Sequence, residues 1–504
     1  MSFISSAFWI FVAVAVGVYY LAPGGFQWAV LLLFSVGYYL LAGGPYAFLF
    51  LLASIALIYG FSLALYGARE KGASKGTQKA LLALGLVGNF GLLFVVKYLG
   101  WILGGIRGLL GNGIPELQIL FPLGISFYTF ASSGYLIEVY WGRVVPEKNP
   151  LKYAAFQTFF PQLMQGPIAK YSLLAPQMFR THQMDPLLFR RGLFRICLGL
   201  WKKMVVSDWA AVFTGAFMAD TATFSGAAGV SLLLYYIQLY MDFSGAMDVV
   251  VGIGDLFGLS LDENFKQPYL STSLSLFWTR WHITLGRWMK EYVFFPLSLT
   301  RHARNLEKWG RKHFSNKSAK VLKMAYGELV VFLLVGIWHG ANWLSVGFGL
   351  YNGLIIATSL LLTEAFKGMR GRLHLTGKEG FYVVFMILRT NLLFCLESVF
   401  DLATSIPEAF HVAVLAFTRW APGSLLSVSM GSASSFNSSA VLCIIALGTL
   451  LVVVFGSLAE RGWDIRSKVE DRPVLCMVLC GLFLLCIGFF GCSGPTRGFI
   501  YAQF

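Results

Sequence analysis

The chain of 504 residues is 57% hydrophobic and only 12% charged, with a mean hydropathy of +0.68. Soluble globular proteins carry about 25% charged residues, so this composition excludes an ordinary soluble enzyme. The apolar runs are about 20 residues long, and a helix of that length crosses the hydrocarbon core of a bilayer. The composition therefore predicts an all-α, polytopic integral membrane protein that is embedded in the lipid bilayer.

The net charge of +15 could indicate nucleic-acid binding, but the distribution of the basic residues argues against it. Four short loops between apolar runs hold 20 of the 39 lysines and arginines, whereas the long loop 404–436 holds one, Arg419. Cytoplasmic loops are enriched in this way. We therefore predict no nucleic-acid partner and both termini external, with four cytoplasmic loops at 67–79, 301–323, 367–378 and 460–472.

The apolar runs follow one another along the chain, with turn residues between them. They lie near 3–22, 26–43, 45–66, 80–100, 119–140, 204–220, 229–258, 326–345, 346–366, 381–403, 437–459 and 474–492. We predict roughly 11 transmembrane helices, plus re-entrant or interfacial helices, in a single membrane domain that spans 1–504. Most of the seven cysteines lie inside apolar runs without a ligand cluster, so we predict neither a disulfide framework nor a metal site.

Two further stretches are apolar but interrupted. Residues 159–167, FFPQLMQGP, contain two prolines and a glycine, which predicts a re-entrant or interfacial element; the alternative is an ordinary cytoplasmic loop. Residues 277–299 mix tryptophans with Arg280, His282 and further cations, which is typical of a helix that lies at or dips into the membrane interface. His282 could have a function there or be an interfacial residue without one.

The apolar run at 229–258 carries three carboxylates, Asp242, Asp248 and Asp255. Asp248 and Asp255 are seven residues apart and share a helix face, while Asp242 points elsewhere. Acidic residues in such a segment indicate either the wall of a polar cavity or hydrogen bonds between helices. The sequence leaves both alternatives open.

The stretch 332–350, FLLVGIWHGANWLSVGFGL, is almost wholly apolar and long enough to cross a bilayer. His339 is the ionisable residue inside it. An ionisable side chain costs a few kcal/mol or more at membrane depth, so it tends to face a polar cavity and to have a function there. The alternative is a histidine near a helix end that binds a backbone carbonyl.

Four stretches together resemble the membrane-bound O-acyltransferase (MBOAT) family. They are FFPQLMQGPIAKY (159–171), YMDFSGAMDVVVGIGDLFGL (240–259), FWTRWHITLGRWMKEYVFFPL (277–297) and IWHGANW (337–343), and the ending GFIYAQF (498–504) is also similar to that of the family. We predict that residues 120–366 form the catalytic MBOAT core. Within the family, the chain most resembles the bacterial alginate O-acetyltransferase-like branch, with the teichoic acid D-alanyl transferase branch as its neighbour.

The resemblance implies a helical bundle around a central pore in the bacterial plasma membrane. An acyl thioester, acetyl-CoA or a carrier-bound acyl group, would reach the pore from the cytoplasm as a substrate, and no cofactor would be bound. The acceptor would be an extracellular polysaccharide, reached directly or through an extracytoplasmic partner with a serine-type transferase domain. The central histidine of the family falls on His339, and a second one falls on His282.

Histidine suits acyl transfer to a hydroxyl because its neutral form takes a proton near pH 7, and a positioned base contributes about 10²–10⁴ in rate. Asn342 follows His339 by three residues, so it would share the helix face of His339 and could orient the imidazole or donate to the oxyanion. We predict that His339 and His282 are catalytic. We assign substrate binding to Trp338, Asn342, Asp242 and Arg280.

Three functions are compatible with these residues. The first is a membrane O-acyltransferase, most simply an acetyltransferase, that moves an acyl group from a cytoplasmic thioester toward hydroxyls of an extracellular polysaccharide or a partner protein. The second is D-alanyl transfer to teichoic acid by the same fold. The third is a transporter or flippase without acyl chemistry.

Overall fold

The structure of the protein is a computed structural model that describes residues 3–110, 121–377, 379–430, 435–492 and 498–499. Within these ranges the regular secondary structure is helical, apart from one antiparallel bridge between Phe265 and Trp281. The start of the run predicted at 119–140, Lys378 and most of the ending at 498–504 lie outside the described residues.

The helices of the described ranges follow the chain in short and long pieces. The first part comprises α1 (Ser6–Leu21), α2 (Gln27–Glu70), α3 (Lys75–Lys97), α4 (Leu99–Leu110), α5 (Ile125–Trp141), α6 (Pro150–Thr158), α7 (Phe160–Gln165), α8 (Tyr171–Met178), α9 (Pro186–Trp201), α10 (Asp208–Ala219) and α11 (Ala228–Leu256). The middle comprises α12 (Leu274–Arg280), α13 (Ile283–Met289), α14 (Phe295–Ser298), α15 (Arg301–His313), α16 (Asn316–His339) and α17 (Trp343–Leu361). The last part comprises α18 (Thr363–Arg372), α19 (Gly380–Glu397), α20 (Val399–Leu402), α21 (Ile406–Thr418), α22 (Ser438–Glu460), α23 (Ile465–Glu470) and α24 (Pro473–Phe490).

The prediction of an all-α, polytopic membrane protein is confirmed. Seven helices of the described part are long and apolar enough to cross a membrane: Gly24–Glu70, Lys75–Lys97, Asn316–His339, Trp343–Leu361, Gly380–Leu402, Ser438–Glu460 and Pro473–Phe490. The first of them bends at Gly44, which has a φ of 76° and precedes Pro45. A straight helix of its 47 residues would measure about 70 Å, so it holds the two runs predicted at 26–43 and 45–66. The count of roughly 11 stays a prediction.

Helix α11 lies in the interior of the bundle, and its carboxylates bind cations of the preceding segment. Lys203 Nζ lies 2.6 Å from Asp242 Oδ1, and Lys202 Nζ lies 2.7 Å from Asp248 Oδ2. The backbones approach closely because Gly199 of α9 faces Gly245 of α11, where a Cβ on Gly199 would lie 2.4 Å from the Gly245 carbonyl oxygen. For these two aspartates, the structure therefore supports the alternative of contacts between helices.

Both interrupted stretches are buried inside the protein. Phe159 and Phe160, at the start of α7, are 1% and 0% exposed, which excludes an ordinary surface loop and supports a re-entrant element. The stretch 277–299 is not one interfacial helix, because it breaks into α12, α13, a π-helical turn and α14. Trp281 is 1% exposed and packs in the core instead of lying at the headgroups.

The stretch 332–350 is divided between two helices, and the boundary predicted between 345 and 346 was misplaced by several residues. Helix α16 ends at His339, Gly340 adopts an extended backbone with φ −160°, and α17 begins at Trp343. The two helices run antiparallel with Gly336 against Gly349, where a Cβ on Gly336 would lie 2.8 Å from the Gly349 Cα. Glycine permits this close approach of the two helices. His339 lies at the turn between them.

One ion pair and one hydrogen bond show which segments lie at each end of helix α16. Lys317 Nζ at the start of α16 lies 2.9 Å from Glu364 Oε1, just after α17. At the other end of α16, the Tyr98 hydroxyl donates to the Ile337 carbonyl at 2.9 Å. The predicted cytoplasmic loops 301–323 and 367–378 therefore adjoin one end of the bundle, and His339 lies toward the opposite end. Which end faces the cytoplasm stays a prediction.

Candidate active site

His339 is the last residue of α16, and aromatic rings surround its imidazole. The ring centroids of Trp338 and Phe348 lie 5.0 and 5.1 Å from that of His339. The side chain is partly exposed and lines a small cavity of about 30 Å³ together with Glu397 and Asp401. His339 therefore combines both sequence alternatives: it stands at a helix end, and it faces a cavity with polar lining.

The end of α16 is held by the end of α3. The side chains of Lys97 and Tyr98 donate hydrogen bonds to the backbone carbonyls of Trp338 and Ile337. Carbonyls in the last turn of a helix have no partner within that helix, and a cation there also compensates the negative end of the helix dipole. Lys97 and Tyr98 thereby fix the backbone next to His339.

His282 lies at a sharp turn between α12 and α13. Its φ of +47° is in the left-handed region, which costs a residue other than glycine about 1–3 kcal/mol and is found most often at functional sites. Asn264 holds the turn: its carbonyl accepts from the Ile283 N–H at 3.1 Å, and its side-chain oxygen accepts from the Thr284 N–H at 3.0 Å. The surrounding chain therefore imposes the strained conformation on His282.

The imidazole of His282 is buried, with 2% of the residue exposed. The Phe243 ring meets it edge-on at a centroid distance of 4.9 Å, and the Trp338 ring lies at 6.2 Å. His282 lines a large cavity of about 440 Å³. That volume lies in the usual range of 300–1,000 Å³ for small-molecule and cofactor sites.

The two histidines face two different cavities that share a wall. Trp278 and Trp281 line both the large and the small cavity. The large cavity extends along α16 past Glu328 to Met324, which is 15 residues and about 22 Å from His339 along the helix. The large cavity therefore reaches toward the end of the bundle with the basic loops, whereas the small cavity lies toward the opposite end.

Trp338 lies next to both imidazoles, with ring-centroid distances of 6.2 Å to His282 and 5.0 Å to His339, and is 5% exposed. Its ring stacks on that of Phe130 at a centroid distance of 5.4 Å. Within the described residues, its indole Nε1 has no hydrogen-bond partner. A buried N–H without a partner is costly, which makes this donor a candidate for binding a substrate atom. Trp338 is not among the residues that line the large or the small cavity.

The other predicted substrate-binding residues have structural contacts. Asn342 is not on the helix of His339, because α16 has ended; it caps α17 by accepting from the Ser345 N–H at 2.8 Å, and our helical argument for it was wrong. Asp242 is 0% exposed beside Lys203. Arg280 pairs with Glu460 at 3.1 Å. None of the three is among the residues that line the large or the small cavity, and their binding roles stay predictions.

The sequence analysis missed three residues near the histidines: Lys97, Glu397 and Asp401. Lys97 is a lone cation in the apolar segment LLFVVKYLG, and Glu397 is a lone acid in LLFCLESVF. Both carry the signal that singled out His339, an ionisable residue in an apolar run. Only the tertiary structure brings them to the site.

The chain also matches a known protein family in sequence. The sequence model of the membrane-bound O-acyltransferase family matches residues 146–399. The chain belongs to that family. It is therefore an O-acyltransferase and a multi-pass membrane protein.

The chain is similar to two kinds of O-acetylating protein and to a D-alanyltransferase. A probable alginate O-acetylase of Azotobacter vinelandii is 32% identical over 73% of this chain and 71% of its own length. A peptidoglycan O-acetyltransferase of Helicobacter pylori is 33% identical over 57% of this chain and 56% of its own length. A teichoic acid D-alanyltransferase of Bacillus subtilis is 28% identical over 48% of this chain and 60% of its own length.

Proposed function

We propose that this O-acyltransferase takes an acetyl group from acetyl-CoA at its cytoplasmic end and passes it to a hydroxyl at its external end. The observation that carries the proposal is the placement of His282 and His339 on two cavities that extend toward opposite ends of the bundle and meet at a tryptophan wall. Neither thioester nor polymer then needs to cross the bilayer. The cavities together would form the pore that the family resemblance implies.

The large cavity suits the donor. A charged thioester cannot enter the hydrocarbon, but its slender acyl arm can enter a cavity whose mouth lies near cations. Arg287 and Lys290 line the large cavity beside apolar side chains such as Met324. Cationic side chains attract phosphate groups, and the exposed basic face of α15 adjoins the same end of the protein. Acetyl-CoA would therefore bind as a substrate, with the acetyl end directed toward His282.

His339 would act as the general base on the acceptor. The acceptor hydroxyl enters the small cavity, its oxygen attacks the thioester carbonyl carbon, and His339 takes its proton. The C–S bond then breaks, and His339 returns the proton to the leaving thiolate. The closed aromatic surroundings keep bulk water from the thioester and so limit hydrolysis.

His282 and Trp338 would position the thioester carbonyl between them. The indole N–H of Trp338 lacks a partner among the described residues, and a donor aimed at the developing oxyanion lowers the barrier. The His282 ring lies 6.2 Å from the Trp338 ring, so one carbonyl oxygen could contact both. These roles agree with catalysis by His282 and substrate binding by Trp338.

The acceptor is proposed from the relatives. Two of the named relatives are O-acetylating enzymes, one acting on alginate and one on peptidoglycan, which supports a cell-envelope polysaccharide and a place in the bacterial plasma membrane. An extracytoplasmic transferase of the serine type would serve as a partner if the acyl group passes through a relay. D-alanyl transfer is the second candidate, because a teichoic acid D-alanyltransferase is also similar.

The test uses proteoliposomes that hold the protein in one orientation. Labelled acetyl-CoA is placed at the end with the basic loops, and cell-wall polysaccharide, with or without extracytoplasmic membrane extract, is placed at the other. We expect label in the polymer or in an extract protein, and none when acetyl-CoA is supplied only at the acceptor end. Transfer from a D-alanyl carrier thioester but not from acetyl-CoA would instead support the second candidate.

A further inference from the structure

The wall between the two cavities contains two tryptophans that are held in different ways. Trp281 is 1% exposed and stacks on Phe277 at a centroid distance of 5.5 Å, so packing holds it in place. Trp278 is partly exposed, and its indole Nε1 donates a hydrogen bond of 2.9 Å to the side-chain oxygen of Asn352. The orientation of the Trp278 ring therefore depends in part on Asn352.

Asn352 lies within α17 and is 0% exposed. Besides accepting from Trp278, its side-chain amide donates to the Phe348 carbonyl at 3.1 Å and contacts the Glu397 carboxyl group. A polar side chain buried in a membrane helix is costly unless its hydrogen bonds are made. The three contacts offset that cost, and they tie Asn352 to α12 and α19.

The partners of Asn352 frame the candidate active site. Phe348 and Glu397 line the small cavity with His339, and the Phe348 ring lies 5.1 Å from that of His339. Trp278 lines both cavities. Asn352 itself is not among the described residues that line either cavity, so its effect on the reaction must pass through these partners.

The position of the Trp278 ring sets how far the two cavities communicate. In the proposed mechanism the thioester reaches the site through the large cavity, and the acceptor hydroxyl enters the small one. If Trp278 turned away, the cavities would merge and water would reach the thioester beside the acceptor. That water would attack the carbonyl carbon, the C–S bond would break, and a proton of the water would pass to the leaving thiolate. Acetate and free CoA would then form in place of the acetylated acceptor.

We infer that Asn352 is a positioning residue of this O-acyltransferase, which fixes the Trp278 ring in the wall so that the thioester reacts with the acceptor hydroxyl and not with water. The inference rests on the proposed function and adds a residue that controls the partition between transfer and hydrolysis. Asn352 acts through its hydrogen bond to Trp278, and its other contacts hold the amide in the orientation that this bond requires.

The experiment follows labelled acetyl-CoA in membranes that hold equal amounts of folded protein, with cell-wall polysaccharide and extracytoplasmic membrane extract as acceptors. Label in the polymer and in extract protein measures transfer, and labelled acetate, less that formed by membranes without the protein, measures hydrolysis. Asn352→Leu has a side chain of similar size without the amide. We expect its ratio of transfer to hydrolysis to fall at least about fivefold.

The KM of Asn352→Leu for acetyl-CoA should change by less than about threefold, because Asn352 is not among the residues that line the large cavity. A smaller fall in the ratio of transfer to hydrolysis, or a loss that lies entirely in KM, would overturn the inference.

Trp278→Phe tests the route through the indole, because it keeps the aromatic ring and removes the same hydrogen bond. We expect each single variant to lower the ratio to a similar extent and the double variant to lower it no further, since both changes delete one interaction. Effects that multiply in the double variant would contradict this route. If Asn352→Leu does not fold, Trp278→Phe decides alone, and a ratio like that of the original chain would overturn the inference.

Asn391→Leu is the matched control. Asn391, on α19, accepts from the Tyr236 hydroxyl at 2.9 Å and donates to the Tyr269 carbonyl at 2.9 Å, and it is not among the described residues that line either cavity. Its ratio of transfer to hydrolysis should equal that of the original chain. A fall as large as in Asn352→Leu would show a general loosening of the bundle and would contradict the inference.

The original chain distinguishes the inference from the proposed function on which it rests. If the original chain transfers no acetyl group from acetyl-CoA, the proposed function fails. If it transfers acetyl groups while Asn352→Leu and Trp278→Phe keep its ratio, the proposed function stands and only the role of Asn352 is wrong.

Discussion

Lys97 Nζ donates a hydrogen bond of 2.5 Å to the backbone carbonyl of Trp338, the residue before His339. The two residues are 241 positions apart in the chain, and their contact joins the end of α3 to the end of α16. The Lys97 ammonium also lies over the Trp338 ring, 5.7 Å from its centroid. Lys97 thereby positions Trp338 and the backbone next to His339.

Replacing Lys97 by methionine should impair catalysis more than donor binding. A charged hydrogen bond contributes about 1.5–3 kcal/mol, so misplacement of His339 should lower kcat for acetyl transfer by about 10- to 100-fold. The KM for acetyl-CoA should change little, because Lys97 does not line the large cavity. Lys97→Arg retains a cationic donor and should recover part of the rate. Equal rates for Lys97→Met and Lys97→Arg would argue against this positioning role.

Replacing His282 by asparagine removes the imidazole but keeps a residue that can adopt the left-handed backbone at this position. Asparagine adopts the left-handed region more readily than most residues, so His282→Asn should fold normally. Its transfer rate should fall by about 10²-fold or more, because the imidazole is lost. His374 has a similar φ of +52° on an exposed turn, and His374→Asn serves as the control with full activity. Full activity in His282→Asn would leave His282 only a structural role.

The third prediction concerns the indole N–H of Trp338, which has no hydrogen-bond partner among the described residues. Trp338→Phe keeps an aromatic ring against Phe130 but removes the N–H. Loss of one oxyanion donor costs about 10²–10³ in kcat, and a loss of this size is expected in single-turnover transfer from bound acetyl-CoA. Trp343 is 67% exposed, so Trp343→Phe is the control. A loss of less than threefold in Trp338→Phe would show that its N–H does not bind the oxyanion.

The basic helix α15 provides a test of donor docking. Arg301, Arg304 and Lys308 are exposed on it and would attract the phosphates of CoA. Their simultaneous replacement by glutamine should raise the KM for acetyl-CoA about tenfold at low salt and by less at high salt, because salt screens exposed charges. The matched control replaces Lys71, Lys75 and Lys79 by glutamine. These are exposed on another loop that is predicted to be cytoplasmic. An equal effect of the two triple variants would exclude specific docking on α15.

The sequence alone predicted a helical membrane protein and singled out the two histidines, because the patterns that indicate them lie within short segments of the chain. An apolar run of 20 residues predicts a helix by itself, and His339 differs from every neighbour in its run. The resemblance singled out His282, although nothing in the composition of 277–299 predicted its left-handed turn. That turn depends on Asn264, which bonds to Thr284 from outside the stretch.

The sequence could not identify the contacts between distant segments. Lys97 reaches Trp338 across the bundle, and Glu397 reaches the small cavity from a span whose fold the resemblance left open. The error at Asn342 has a local cause: the argument extended α16 through Gly340, where the helix in fact ends and a new one begins. The sequence also could not show that Asp242 pairs with Lys203, which lies 39 residues earlier; the substrate-binding role of Asp242 stays a prediction.

The central claim is that His339 takes the proton of the acceptor hydroxyl, and the most direct measurement of it is acyl transfer by His339→Ala. The assay uses membranes with equal amounts of folded protein and labelled acetyl-CoA, with acetyl-CoA binding measured on the same samples. We expect binding to persist and transfer to fall by about 10²–10⁴-fold, the contribution of a general base. Transfer within a few-fold of the original chain would contradict the mechanism.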